Sequence, residues 1–123
     1  MPRHALVVDD DTVTRLVLCH MLQSLGWSVD QVGDVPDALD RLRERDVDLV
    51  VADFHLPSGT GIDVLEAAEQ RAPAPAFILV TGIIEHSSLS SDIAPRLAAQ
   101  LTKPVGSEML RSALGRVFPS EDA

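Results

Sequence analysis

The sequence predicts an α/β domain: a (βα)5 alternation of strand and helix, giving a parallel sheet with helices on both faces and right-handed crossovers. Three observations predict it. Runs rich in valine and leucine at residues 5–8, 49–52 and 76–80 are short and continuously apolar, the pattern of strands buried on both faces. Between them lie stretches with apolar residues near helical spacing. Turn and cap signals at Gly26, Asp34, Pro36, Pro73 and Gly82 separate the two kinds.

Taken in order, residues 5–8 form the first strand, which ends on Asp9-Asp10-Asp11. A helix over residues 12–25 is announced by Val13, Leu16, Val17, Met21 and Leu25, and Gly26 stops it. Residues 27–32 alternate as a more exposed strand. Asp34 caps the next helix and Pro36 sits in its first turn; Ala38, Leu39 and Leu42 make its apolar face, and Arg41, Arg43, Glu44 and Arg45 its solvated side. The third strand ends on Asp53 and breaks into the Pro57- and Gly61-bearing loop. Ile62, Val64, Leu65 and Ala68 then define a helix that ends before Pro73. Residues 76–81 form the fourth strand. Residues 85–96, serine-rich with Pro95 near the end, predict a short or irregular helix. Residues 98–102 form a brief fifth strand closed by Lys103-Pro104. Ser107 caps a last helix with Met109, Leu110, Ala113, Leu114 and Val117 inward. The expectation is one domain over residues 1–123, ordered from about 4 to 118, without linker or internal repeat.

Composition excludes several classes of function. The net charge of -9 argues against direct binding of nucleic acid or an anionic membrane. Aromatic content is 3% with no tyrosine, so a base-stacking platform is not expected. No apolar run approaches the roughly 20 residues of a membrane span. The start leads directly into a strand, so no signal peptide is expected. The single cysteine, Cys19, excludes a disulfide within the chain and fits a reducing cytoplasm; it reads as a packing residue. His4, His20 and His86 share no ligand spacing and read as surface or helix-packing residues, and Trp27 as a cover for the end of the first helix.

The chemistry gathers at strand ends. Asp9 and Asp10, Asp53, Thr81 and Lys103 each close a strand. In a parallel sheet those ends share one edge, where open α/β folds place their ligands. Singly, each has an ordinary explanation as a cap, a strand former or a surface charge. Together they crowd carboxylates that a divalent cation would reconcile. All-oxygen ligands with few protein contacts suit Mg²⁺. A metal, a lysine and a hydroxyl around one aspartate suit a phosphoryl group, with Asp53 as the nucleophile of an acyl phosphate.

Val7-Val8-Asp9-Asp10, Asp53-x-x-x-Pro57-x-x-x-Gly61, Val80-Thr81-Gly82 and Thr102-Lys103-Pro104 resemble, in order and spacing, the receiver domain of two-component response regulators, from Ala5 to Val117. The resemblance implies a flavodoxin-like fold with strand order 2-1-3-4-5. It implies that Asp53 is the phosphoacceptor, Asp10 the direct Mg²⁺ ligand, Asp9 the partner of metal-bound water and the His55 backbone carbonyl the third protein ligand. Thr81 and Lys103 would hold phosphate oxygens, behind a cis Lys103-Pro104 bond, and His55 and Ile83 would flank the phosphoryl group. The implied donor is a histidine kinase or histidine phosphotransfer protein, and the implied role is signalling rather than turnover. Residues 9–15 and 101–105 are similar to receivers attached to hybrid kinases; a stand-alone regulator and a domain of a longer protein both stay open. Three departures mark an atypical output face: Gln100 where the family carries Tyr or Phe, Val105 where Phe is common, and Arg96-Leu97 in place of Gly-Ala. Asp11 has no role in the pattern.

Two rivals come from other classes. Asp9-x-Asp11-x-Val13 after a strand resembles the nucleophile motif of haloacid-dehalogenase-type phosphatases, with Thr81 and Lys103 fitting its later motifs. But it leaves Asp53 and the Pro57/Gly61 loop unexplained, and it needs a further strand with a metal-binding acidic pair where only one helix follows Lys103. A receiver-shaped module that works without phosphate is the other.

Overall fold

The computed structural model describes residues 3–82 and 91–119 of the 123-residue chain. Its long strands are β1 (His4–Val8), β2 (Ser28–Val32), β3 (Leu49–Asp53), β4 (Ala76–Thr81) and β5 (Ala99–Thr102). The helices are α1 (Thr12–Ser24), α2 (Val35–Glu44), α3 (Gly61–Glu69) and α4 (Ser107–Val117), with a 3-10 turn at Ala94–Arg96. All strand pairs of the main sheet are parallel, in the order β2-β1-β3-β4-β5. This is the flavodoxin-like order, and its direction reverses beside β1 and β3, above which the ligand crevice of such folds opens.

Strict alternation along the central strands divides the core in two. Leu6, Val8, Val50, Ala52, Phe77 and Leu79 face α2 and α3. Ala5, Val7, Leu49, Val51, Ile78 and Val80 face α1 and α4. Burial of each large side chain favours the folded state by about 1.5–3 kcal/mol. Gly26 ends the first unit at φ +93, a conformation that side chains with a Cβ rarely adopt.

Several expectations need correction. Of the apolar set that announces α1, Met21 packs against the core, but Val13, Leu16, Val17 and Leu25 face solvent, Val13 70% exposed and Leu16 51%. Leu18, Cys19 and Leu22 make the buried face instead. The N-cap of α4 is Gly106, without a side-chain bond, and Ser107 is the first helical residue. Met109 points outward. His4 is no surface residue: it is buried on β1, its ring 3.0 Å from Ser28 Oγ and from Asp30 Oδ2. Trp27 packs edge-on against Phe118 at the end of the sheet opposite Asp53. A two-stranded antiparallel ribbon, His55–Leu56 with Gly59–Thr60, was not foreseen. The irregular helix expected over residues 85–96 falls partly outside the described residues, as do Ile83 and His86; within it, the 3-10 turn is described.

Candidate functional site

Register brings the strand ends together. Val8 pairs with Ala52, so Asp9 and Asp53 emerge side by side from β1 and β3. Asp53 pairs with Val80 and Thr81 with Thr102, which brings Lys103 to the same edge. Carboxylate oxygens of Asp9, Asp10 and Asp53 all lie within 4.8 Å of one another. Lys103 Nζ donates to Asp53 Oδ2 at 2.9 Å and stands 3.9 Å from Asp9 Oδ2. The Lys103-Pro104 bond is cis, as the resemblance implied.

Charge at this edge is unbalanced. Two unit charges about 4 Å apart interact by about 4 kcal/mol at an effective dielectric near 20. Three carboxylates share one ammonium here. Asp9 and Thr81 are fully buried, Asp53 is nearly so, and Asp10 is exposed. Burial raises the Asp9 pKa, and the charges of Asp53 and Asp10 push the same way, against a hydrogen bond from Asp11 N and the charge of Lys103. For Lys103 burial disfavours the ammonium, but the hydrogen bond and charge of Asp53, with Asp9 and Asp10 beyond, carry its pKa above the ordinary lysine value.

The surrounding loops fix this geometry. Asp9 Oδ1 accepts from Asp11 N at 2.9 Å, and the Asp9 carbonyl accepts from Arg15 at 2.9 Å. Asp11 itself caps α1, accepting from Thr14 N, which is the role the motif pattern left open. Below Asp53, Gly61 lies against the strand: a Cβ there would meet the Asp53 carbonyl oxygen at 2.6 Å and Leu79 at 2.7 Å, so the motif glycine is a close-approach residue. The ribbon carrying His55 is tied at both ends. Asp34, the cap of α2, accepts from Ser58 N at 2.9 Å and Ser58 Oγ at 2.6 Å. Thr60 and Asp63 form a capping box at the start of α3. The His55 ring stands edge-on to Phe54, their centroids 5.0 Å apart, and adds no nitrogen to the carboxylate cluster.

Asp9 Oδ2 and Thr81 Oγ1 are buried without a hydrogen-bond partner. A buried acceptor on a carboxylate is costly to leave unpaired. Three oxygen donors within one cation's reach, one of them unpaired, fit Mg²⁺.

A profile of the response regulator receiver domain matches residues 5–115. The chain belongs to that family. Receiver domains are signalling modules of two-component systems that bind Mg²⁺ at an acidic pocket, and the cluster of Asp9, Asp10 and Asp53 could hold such a metal. This receiver is 26% identical to the chemotaxis protein CheY of Pseudomonas aeruginosa, over 92% of this chain and 94% of that one. It is 33% identical to the regulatory protein LuxO of Vibrio vulnificus over 85% of this chain but only 23% of LuxO, so it spans a small part of that relative. Among solved structures, a CheY-like receiver domain from Methylobacillus flagellatus superposes with a TM-score of 0.86 at 24% identity, over 95% of this chain and 99% of that one, which establishes the likeness of fold. No described helix is long and apolar enough to cross a membrane.

Sequence reasoning found every charged residue at this edge except the supporting ones. Asp34 and Arg15 hold the loops beside the acids through contacts 24 and 6 residues distant in sequence. Asp34 was visible as a cap; its tie to Ser58 leaves no local signature.

Proposed function

We propose that this receiver takes a phosphoryl group from a phosphohistidine onto Asp53. The donor is a histidine kinase or a histidine phosphotransfer protein, in the cytoplasm. One observation carries the reading: Asp53 sits among paired acids with Lys103 at 2.9 Å while a buried oxygen of Asp9 has no hydrogen-bond partner. Asp53 attacks phosphorus as the P–N bond breaks, and the donor imidazole leaves with the bonding pair. Asp9, Asp10, Asp53 and the His55 carbonyl would hold Mg²⁺, which neutralises charge that develops on the transferring group. Lys103 and Thr81 bind the phosphoryl oxygens. Lys103 is already ordered by Asp53, so its reorganisation on transfer is small.

The donor's imidazole must reach Asp53 from outside the crevice. An open groove of about 430 Å³ flanks that path, lined by Val13, Val17, Leu18, Pro104 and Val105 with Lys103 at its rim. The outward apolar stripe of α1 continues it. The donor docks there by an apolar surface, and the net charge of -9 favours a partner with basic patches around it. Output uses a face in which Gln100 replaces the aromatic residue common in the family.

The test is intact-mass spectrometry after incubation with acetyl phosphate and Mg²⁺. The wild-type chain gains the mass of one phosphoryl group, and Asp53→Asn gains none. An unmodified wild-type mass, or equal modification of Asp53→Asn, refutes the assignment.

A further inference from the structure

Among the described residues, three side chains carry a buried polar atom without a hydrogen-bond partner: Asp9, Thr81 and Gln100. The first two belong to the crevice. Gln100 lies on β5, away from the acids, and its Nε2 is buried all the same. Register relates it to Thr81. Gln100 pairs with Leu79 and Thr102 with Thr81, and residues two apart on a strand share a face. Thr81 and Gln100 are therefore diagonal neighbours on one face of adjacent strands, a step that a long side chain spans.

Their hydrogen-bonding needs are complementary. A carboxamide nitrogen only donates; a hydroxyl gives one proton and accepts through two lone pairs. Buried donors left unpaired are unfavourable, so a state that pairs both atoms is favoured over one that pairs neither. We infer that Gln100 is a positioning residue for Thr81. When Thr81 gives its proton to a phosphoryl oxygen on Asp53, its own oxygen accepts from Gln100 Nε2, and the two orphans close in one chain: amide to hydroxyl to phosphoryl oxygen. Each bond polarises the next. Gln100 thus stabilises the modified state and carries its arrival to β5. This rests on Asp53 being the phosphoacceptor, and it assigns a role that the acid cluster does not require.

The experiment is a double-mutant cycle with beryllofluoride, a phosphoryl mimic, added to the Mg²⁺-loaded chain. Gln100→Leu, Thr81→Val and the double variant are compared, and the Gln100 side-chain amide is followed by NMR in the wild type. Gln100→Leu weakens beryllofluoride binding about three- to tenfold when Thr81 is present, the range of one neutral hydrogen bond, and has no effect in Thr81→Val. Mg²⁺ affinity is unchanged, and the Gln100 amide signals shift at saturation. Equal effects in both backgrounds, or no effect, overturn the inference. Amide signals that stay in place at saturation overturn it even where the variants do not fold. A wild-type chain that binds Mg²⁺ but no beryllofluoride sinks the phosphoacceptor reading itself, and this inference with it.

Discussion

The two ends of the sheet carry similar numbers of acids and treat them in opposite ways. At the N-terminal end, Asp30 takes Arg45 at 3.1 Å and the His4 ring at 3.0 Å, Asp48 accepts from His4 N at 2.8 Å, and Asp46 pairs with Arg71 at 2.7 Å. At the C-terminal end, Asp9, Asp10 and Asp53 crowd one lysine and leave a buried oxygen unpaired. Both ends are built on the same strands, so topology does not explain the contrast. Partner supply does. Stability favours the first arrangement. The second is the arrangement that a bound cation would complete, as unsatisfied polar groups at functional sites generally imply. Within the C-terminal end the same rule sorts residues: Asp11 and Asp34 are satisfied as caps and ties, whereas buried Asp9 keeps one oxygen without a hydrogen bond.

The contrast can be broken in order of expected effect. Asp53→Asn removes phosphorylation entirely, as set out above, and leaves the fold. His4→Ala breaks the paired end: the chain loses about 1–2 kcal/mol in urea unfolding, while phosphoryl uptake at the far end is unchanged. A simultaneous loss of uptake would show that the two ends are coupled. Asp9→Asn acts in the opposite sense. It keeps the acceptor for Asp11 N and removes a buried charge, so the metal-free chain gains about 1 kcal/mol while Mg²⁺ binding weakens. Loss of metal-free stability would mean that the crowding is not unfavourable.

The smallest effect is a pH dependence. The hydrogen bond from Ser58 Oγ holds the Asp34 carboxyl below its ordinary value of 3.8 against the opposing desolvation, helped by the Ser58 and Val35 amides. A depressed folded-state pKa stabilises above the unfolded value and loses that contribution as pH falls through the folded one. The wild type therefore unfolds at a higher urea concentration than Asp34→Asn near pH 7, and the gap narrows below about pH 4. A gap independent of pH would place the difference elsewhere than in this charge.

Much of this was legible from residues because the signals were redundant. Doubly buried strands announce themselves by unbroken apolar runs, and a parallel sheet then brings their ends to one edge whatever the details. That sufficed to assemble Asp9, Asp10, Asp53, Thr81 and Lys103. It failed on α1, where Val13, Leu16, Val17 and Leu25 form one apolar stripe and Leu18, Cys19 and Leu22 another. Periodicity shows that a helix is amphipathic but, with two stripes, not which one the sheet takes. It failed on His4, because a histidine at a strand start has the same local pattern whether it is solvated or clasped by Ser28 and Asp30 from the next strand. The ribbon behind Asp53 is two residues deep on each side, too short for any alternation to register.

The claim beneath all of this is that the acids of the crevice are mutually unfavourable until a cation joins them. Urea unfolding of the wild-type chain with and without Mg²⁺ tests it most directly. The account predicts a rise in stability that grows with the logarithm of Mg²⁺ concentration, reaching about 2.7 kcal/mol at a hundredfold excess over Kd, and a much smaller rise in Asp9→Asn. A midpoint that Mg²⁺ leaves in place, or moves equally in both proteins, would contradict it.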